Sequence, residues 1–263
     1  MRFKLTLSYN RGDRILPINY QHPVSSAIYK IIAKGNGEYA RFLHDEGYGK
    51  GFKLFTFSDI KCPFEIKKDR LLLKKDEASL QVCFHIPEAM ESFIRGLFES
   101  EQIHIADRHS RTTFTVGSVE SLPSLLTAHR DTEVMRLHLY PLSPVVVGTP
   151  NEKGHYDYLD PQEPNFIHSL LHNWREKIAT CYGAATAAGA LLLARVAATN
   201  KPFRSRLIWI KAGKPEETKI RGWINFELQV TAEKRFLELL LNSGTGLYNA
   251  QGMGCMDIKN DDR

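Results

Sequence analysis

Apolar and polar residues alternate over residues 2–9, putting Phe3, Leu5, Leu7 and Tyr9 on one side, the period of a half-buried strand. Pro17 and Pro23 interrupt the chain. Apolar positions then recur at helical spacing over 24–34, with Ala27, Ile28, Ile31 and Ile32 inward and Gly35-Asn36-Gly37 as the stop. A second, short helix carries Tyr39, Phe42 and Leu43 and ends before Gly47 and Gly49. Residues 52–57 read as a short strand, and 63–67, 70–74 and 79–86 as further strands. Pro87 opens a helix over 88–99 with Met90, Phe93, Ile94 and Leu97 inward, followed by strands near 102–106 and 112–120. The order is β-α-β-β-α-β with extra hairpin material, a ferredoxin-like pattern.

The second half repeats it. Residues 134–147 are strand-like. Asp160-Pro161 reads as an N-cap followed by Pro at the first helical position, opening a helix to about residue 181. The Ala-rich stretch 184–198 fits either a helix or a buried strand. Residues 204–211 and 219–230 read as two strands joined by a turn at 213–216, Thr231 as the cap of a helix to residue 241, and 254–258 as a last strand. The expectation is an α+β chain of two tandem ferredoxin-like domains, 1–125 and 132–263, with a boundary near 122–133.

The 263 residues are enough for two such units. A hydrophobic share of 43% against 25% charged residues argues against disorder. The longest small apolar stretch, 184–198, is too short to span a bilayer and is interrupted by Gly189 and Arg195. The first residues alternate instead of forming an apolar run, so no signal peptide and a cytoplasmic location are expected. Cys62, Cys83, Cys181 and Cys255 are scattered with no CxxC pair, which speaks against a structural zinc site or a disulfide framework. His168 and His172 lie four apart on one helix without an evident third ligand. They read as a partly buried helix face, and no metal or cofactor is expected.

The net charge of +5 is mild and permits a polyanionic partner. It is unevenly spread. Residues 195–221 hold Arg195, Lys201, Arg204, Arg206, Lys211, Lys214, Lys219 and Arg221 against Glu216 and Glu217, a net of +6, with Trp209 among them and Trp223 just beyond. Lys and Arg neutralise phosphates and aromatic rings stack on unpaired bases, so this segment is a candidate RNA contact. A second basic run over 61–75 is offset by neighbouring acids and reads as a solvated hairpin.

Residues 242–255 read NSGTGLYNAQGMGC, placing Gly244, Gly246, Gly252 and Gly254 in the pattern GxGxxxxxGxG. Four glycines at fixed spacing arise at a given start on the order of twice in 100,000, so chance is a poor account. Such a loop can take positive φ and turn backbone N–H groups toward phosphates. It lacks the Gly-Lys-Ser/Thr of a Walker loop, and it follows a helix, unlike a Rossmann fingerprint.

The paired ferredoxin-like halves and this loop resemble the RAMP superfamily of CRISPR-associated proteins. Leu16-Pro17-Ile18-Asn19-Tyr20 with Ala27-Ile28-Tyr29-Lys30, and Phe42-Leu43-His44-Asp45 with the stretch from Phe52 to Ser58, narrow the resemblance to the CRISPR repeat-processing endoribonuclease. The resemblance implies metal-independent cleavage of precursor RNA within the repeat, by attack of the RNA's own 2′-OH, leaving a 2′,3′-cyclic phosphate and a 5′-OH. It assigns the family's tyrosine, histidine and lysine to Tyr29, His44 and Lys53, with Lys50 close enough to substitute for the last. It implies repeat RNA as the partner, other effector subunits as further partners, and a monomer or homodimer. The chemistry fits: an imidazole moves protons near neutrality, a phenol donates a hydrogen bond, and an ammonium stabilises a phosphorane. The Gly-rich loop, expected near the helix of Tyr29, and Arg204, Arg206 and Lys211 are the candidate RNA contacts. Judged without the resemblance, His44 is a helix C-cap or ion-pair partner, Tyr29 a core residue and Lys53 a solvated strand residue. The alternative functions are a non-catalytic RAMP subunit that holds guide RNA in an effector complex, and a general RNA-binding protein of ferredoxin-like fold.

Overall fold

A computed structural model describes residues 1–9, 14–100, 102–126, 130–152, 154–197, 202–213 and 215–259. The first half runs β1 (Arg2–Tyr9), β2 (Ile15–Pro17), α1 (Gln21–Gly35), α2 (Gly37–Asp45), β3 (Phe55–Phe57), β4 (Phe64–Lys67), β5 (Arg70–Leu73), β6 (Glu77–Phe84), α3 (Pro87–Glu99), β7 (Gln102–Ala106) and β8 (Arg111–Leu122). Its main sheet has the order β3-β6-β1-β8-β7. Taking β1, β3, β6 and β8 as the four strands of a βαββαβ unit, that is the 2-3-1-4 order of a ferredoxin-like fold, with β7 added at the edge. The alternation of β1 does what it predicts: Phe3, Leu5 and Leu7 are buried opposite Val82, Leu80 and Ala78, while Lys4 on the other face is exposed. Helices α1 and α3 cover the apolar face. They cross in close contact at Gly35 and Gly96, where an added Cβ would stand 2.0 Å from the Ser92 carbonyl oxygen and 1.8 Å from that of Ile31.

The second half runs β9 (Val134–Pro141), β10 (Gly148–Pro150), β11 (Tyr156–Tyr158), α4 (Pro164–Tyr182), α5 (Ala184–Gly189), β12 (Leu193–Ala197), β13 (Arg204–Ile210), β14 (Thr218–Ile224), β15 (Glu227–Glu233), α6 (Lys234–Ser243) and β16 (Met256–Ile258). Its sheet, β12-β15-β9-β16, has the same 2-3-1-4 order. The fold is therefore α+β with two tandem ferredoxin-like units. Each half carries a hairpin between its second and third strands: β4–β5 in the first, β13–β14 in the second. The second core is built on Phe166, Leu170, Trp174 and Ile178 of α4, facing Phe236 and Leu240 of α6, and Trp174 Nε1 donates to the Phe236 carbonyl at 3.0 Å.

Several local expectations are corrected. The expected strand 219–230 is two strands, because Asn225 takes φ +61° and swings the chain from the hairpin into the main sheet. Thr231 is not a helix cap; it sits in β15 opposite Leu193 and Arg136, and α6 starts at Lys234. Sheet pairing there outweighs the capping tendency of threonine. Helix α4 starts at Pro164 behind Glu163, because the Asp160 carboxylate accepts from the Gln162 N–H and closes a turn of its own. The stretch 184–198 contains both a short helix and a strand. Strand β9 ends at Pro141, short of 147. His168 and His172 are exposed, not partly buried.

The halves pack against each other. Asp59 N–H donates to the Leu142 carbonyl, Arg2 pairs with Asp257 at 3.2 Å, and Arg206 pairs with Asp59 at 2.8 Å. No helix of the described residues is long and apolar enough to cross a membrane.

Candidate active site

The loop between α2 and β3 carries the first half into the second. Leu54, at φ +51°, turns its side chain into the second core, and this shortens the expected strand 52–57 to Phe55–Phe57. A non-glycine residue in that region costs on the order of 1 kcal/mol and persists only where packing enforces it. The reversal leaves Lys53 on the wall of a cleft of about 310 Å³.

Tyr29, His44 and Lys53 all line that cleft. Tyr29 comes from the middle of α1 and is wedged edge to face against Phe55 and His44, each at 5.5 Å between centroids. Burial pushes its phenol well above the usual tyrosine range, so it stays protonated and keeps its donor hydrogen. His44 lies in the last turn of α2 and its side chain is 71% exposed; its Nδ1 lies 2.8 Å from Asp45 Oδ1. A neutral imidazole that donates from Nδ1 to that carboxylate carries its lone pair on Nε2. Lys53 Nζ donates to the His44 carbonyl at 2.8 Å, tying the strand entry to the end of α2. Burial pulls its ammonium below the usual lysine range, and Asp45 partly opposes this. Lys50, by contrast, points to Glu176 of α4 at 2.7 Å and does not line the cleft.

The opposite wall is the Gly-rich loop. Gly246 and residues 247–251 line the cleft, against the helix of Tyr29 as expected. The loop is packed, not slack. Thr245 N–H donates to the Gly254 carbonyl and Leu247 N–H to that of Val146, both at 2.8 Å. Thr56 Oγ1 donates to the Met253 carbonyl at 2.9 Å, and His22 Nδ1 meets Gln251 Oε1 at 3.0 Å. Gly246 lies at φ +73°, and a Cβ there would stand 2.2 Å from the Val146 oxygen; one on Gly252, at φ +80°, would stand 2.3 Å from the Phe57 ring. Gly244 and Gly254 also take positive φ at the base of the loop.

At the foot of that wall, and itself among the residues lining the cleft, stands Lys177 of α4, singled out by nothing in the motifs. It is 1% exposed, and its ammonium donates to the Gly244 carbonyl at 2.7 Å and to Asn249 Oδ1 at 2.6 Å. Burial pushes it down to about 7, with the Cys181 thiol acting the other way. Its signal in the sequence was a lysine inside the apolar stripe Phe166, Leu170, Trp174, Ile178, where a charged residue needs a partner.

The basic segment is not drawn into the cleft. Arg204, Arg206 and Lys211 lie on the β13–β14 hairpin; Arg204 and Lys211 are exposed, whereas Arg206 is committed to Asp59. Tyr20 also donates to Asp59, at 2.8 Å, and the Arg206 guanidinium lies over the Tyr20 ring at 5.7 Å. Of the two tryptophans, Trp209 presents its ring outward, with Lys219 stacked on it at 4.4 Å, while Trp223 is buried. Lys201 and Lys214 lie outside the described residues. The charges of the β4–β5 hairpin are largely paired: Lys74 and Lys67 with Glu65, Arg70 with Asp69 and Asp107.

Comparison with known proteins agrees with the motifs. Residues 15–120 match the family model described as CRISPR-associated protein Cas6, N-terminal, and residues 128–258 match that described as CRISPR associated protein Cas6, C-terminal. The chain belongs to the Cas6 family. A Cas6-family relative from Methanocaldococcus jannaschii, named CRISPR-associated endoribonuclease Cas6 1, is 27% identical over 183 residues, 69% of this chain and 67% of the relative. Two solved structures share the Cas6-like fold at a TM-score of 0.79 and 18% identity. One, a Cas6-related protein from Pyrococcus furiosus, is matched over 100% of this chain and 99% of its own; the other, titled an RAMP protein binding different RNA substrates, over 99% and 100%.

Proposed function

We propose that this chain is the endoribonuclease that cuts precursor CRISPR RNA within the repeat, and that it does so without a metal ion. The observation that carries the reading is the convergence of Tyr29, His44 and Lys53 with the Gly-rich loop on one cleft. Family membership and the named endoribonuclease relative support the substrate class.

In the proposed reaction the 2′-OH of one nucleotide attacks the adjacent phosphorus. The proton of the 2′-OH leaves to a base, a pentacovalent phosphorane forms, and the P–O5′ bond breaks as the 5′-oxygen takes up a proton. The products are a 2′,3′-cyclic phosphate and a 5′-OH. His44 moves a proton, with Nε2 as the working nitrogen and Asp45 stabilising the imidazolium. Tyr29, kept neutral by burial, donates a hydrogen bond that orients the nucleophile or the phosphate. Lys53 faces the charge that develops on the phosphorane oxygens. Residues 1–125 supply these groups. Residues 132–263 supply the loop, whose Gly244, Gly246, Gly252 and Gly254 let it pack tightly against Val146, Phe57 and itself so that residues 246–251 face the RNA backbone, and the hairpin with exposed Arg204 and Lys211, Arg206 being held by Asp59.

The deciding experiment is cleavage of a labelled repeat RNA in EDTA. Cleavage with a cyclic-phosphate end, abolished in His44→Ala, is expected. Tight binding without cleavage would instead make the chain a guide-RNA-binding subunit.

A further inference from the structure

The residues of the Gly-rich loop facing Tyr29 and His44 are anchored at their ends, Leu247 by Val146 and Gln251 by His22, and the arc between these anchors needs a hold of its own. They sit on a span with positive φ at Gly244, Gly246, Tyr248, Gly252 and Gly254, backbone that glycine permits but does not enforce. Glycine raises the entropy of ordering, so something outside the loop must hold its arc. The base of the loop is zipped by its own backbone, between Thr245 and Gly254. The arc is held from inside by Asn249, whose Nδ2 donates to the carbonyls of Thr245 and Met253 at 3.2 and 3.0 Å.

Asn249 can do this in one orientation only, with Nδ2 toward the loop and Oδ1 away from it. Lys177 sets that orientation: its Nζ donates to Asn249 Oδ1 and, beside it, to the Gly244 carbonyl. Turned round, the amide would set Nδ2 against the Lys177 donor and Oδ1 against the carbonyl oxygens of Thr245 and Met253, so both sides hold it as it stands. The bond to Gly244 is buried and that to Asn249 partly so, where an unmade hydrogen bond is costly. The cation has no carboxylate partner among its hydrogen bonds; it rests on two neutral oxygens and, at 5.9 Å, the ring of Phe52. A buried charge held by neutral oxygens is weak evidence of net stability, which leaves the geometry it imposes as what distinguishes it.

We propose that Lys177 is the positioning residue of the Gly-rich loop, acting through Asn249 and Gly244 to hold residues 246–251 in the shape that receives the RNA backbone. The RNA part of this rests on the function proposed above; the loop part does not.

The test is made on the full chain with Lys177→Met, which keeps the length and apolar stem of the side chain, and with Asn249→Ala, which cuts the same link from the loop side should the first variant not fold. Amide hydrogen exchange is expected to rise at least tenfold in peptides covering 244–254 and to stay within twofold in β1 and in the core helices α4 and α6. For a repeat RNA with a 2′-deoxy nucleotide at the cut site, Kd is expected to rise at least tenfold. The single-turnover rate at saturating cleavable RNA is expected to fall by a smaller factor than Kd rises. The double variant is expected to be no worse than the poorer single one, since both break one relay. Unchanged loop exchange overturns the proposal. So does exchange that rises equally through α4 and α6, which makes Lys177 a plain core residue, or a hundredfold loss of rate with Kd intact, which moves it into the chemistry. If the wild-type chain neither binds nor cuts repeat RNA, the function reading fails, while the exchange result still decides on Lys177.

Discussion

Tyr29 and His44 belong to different helices, α1 and α2, yet their rings meet edge to face with centroids 5.5 Å apart. One ring is wedged against Phe55 and stays protonated; the other is mostly open to solvent beside Asp45. In the proposed reaction this separates a fixed donor from a group free to exchange protons. His44→Ala is expected to lower single-turnover cleavage by roughly 10²–10⁴ with little change in Kd. Tyr29→Phe keeps the ring packing and removes only the hydroxyl, so its expected effect is smaller, about tenfold, with an unchanged melting temperature. Equal loss of binding and rate in both variants would contradict this division of labour.

Lys53 and Lys50 are three residues apart and point to different places. Lys53 lines the cleft; Lys50 is bound to Glu176 of the other half. Lys53→Ala is expected to cost roughly 10²–10³ in cleavage rate, the order found for a group that stabilises transition-state charge. Lys50→Ala is expected to leave the rate within about twofold, because an exposed ion pair contributes little. A rate comparison at saturating RNA checks both.

Arg206 and its neighbours on the hairpin should separate by experiment. Arg206 bridges the halves through Asp59, whose carboxylate also accepts from Tyr20 and Gln21. Arg206→Ala is expected to cost about 1–2 kcal/mol in denaturant unfolding, since it leaves a partly buried carboxylate short of its cation. Arg204→Ala and Lys211→Ala, at exposed positions, are expected to leave stability unchanged, weaken RNA binding and each lower the salt slope of log K by about one.

Gly246→Ala puts a methyl 2.2 Å from a backbone oxygen at a residue with φ +73°. The backbone must move, so a loss of about 2 kcal/mol or more is expected, together with weaker RNA binding. The same change at Gly37, where nothing lies within 4 Å of the added methyl, serves as the control.

His85 predicts an acid limb of stability. Burial pushes its imidazole down to about 4, and the N-terminal amine and Lys177 add to the shift. Between pH 4 and 6.5 the unfolded chain therefore binds more protons at this site than the folded one, and folding stability rises with pH across that window. The contribution is fully present above about 6.5 and is lost as pH falls to 4, a change on the order of 3 kcal/mol. Urea unfolding of the wild type and of His85→Gln should diverge in slope over that window and run parallel above pH 7.

Much of the fold was legible along the chain. The alternation of residues 2–9, the helical spacing in 24–34 and 88–99, and Pro87 as a helix opener all report local periodicity and backbone chemistry, which act within a few residues. Errors fell where a distant partner outweighed a local preference. Thr231 is an able cap, but two neighbouring strands claim its backbone. Residues 219–230 look continuous, but Phe226 is drawn into the second core and Asn225 tolerates the turn this needs.

For the site, residue types and their order determined the fold class, the family and the names of Tyr29, His44, Lys53 and the loop glycines, because motifs are strings of neighbours. Only the tertiary structure decided which of them share a cleft, that Lys53 and not Lys50 faces it, that Arg206 is tied to Asp59, and that Lys177 stands behind the loop. Those facts depend on contacts between residues far apart in the chain, 147 positions for Arg206 and Asp59 and 72 for Lys177 and Asn249. A local pattern of apolar and polar residues tells which face turns inward, but not which distant group a polar side chain meets.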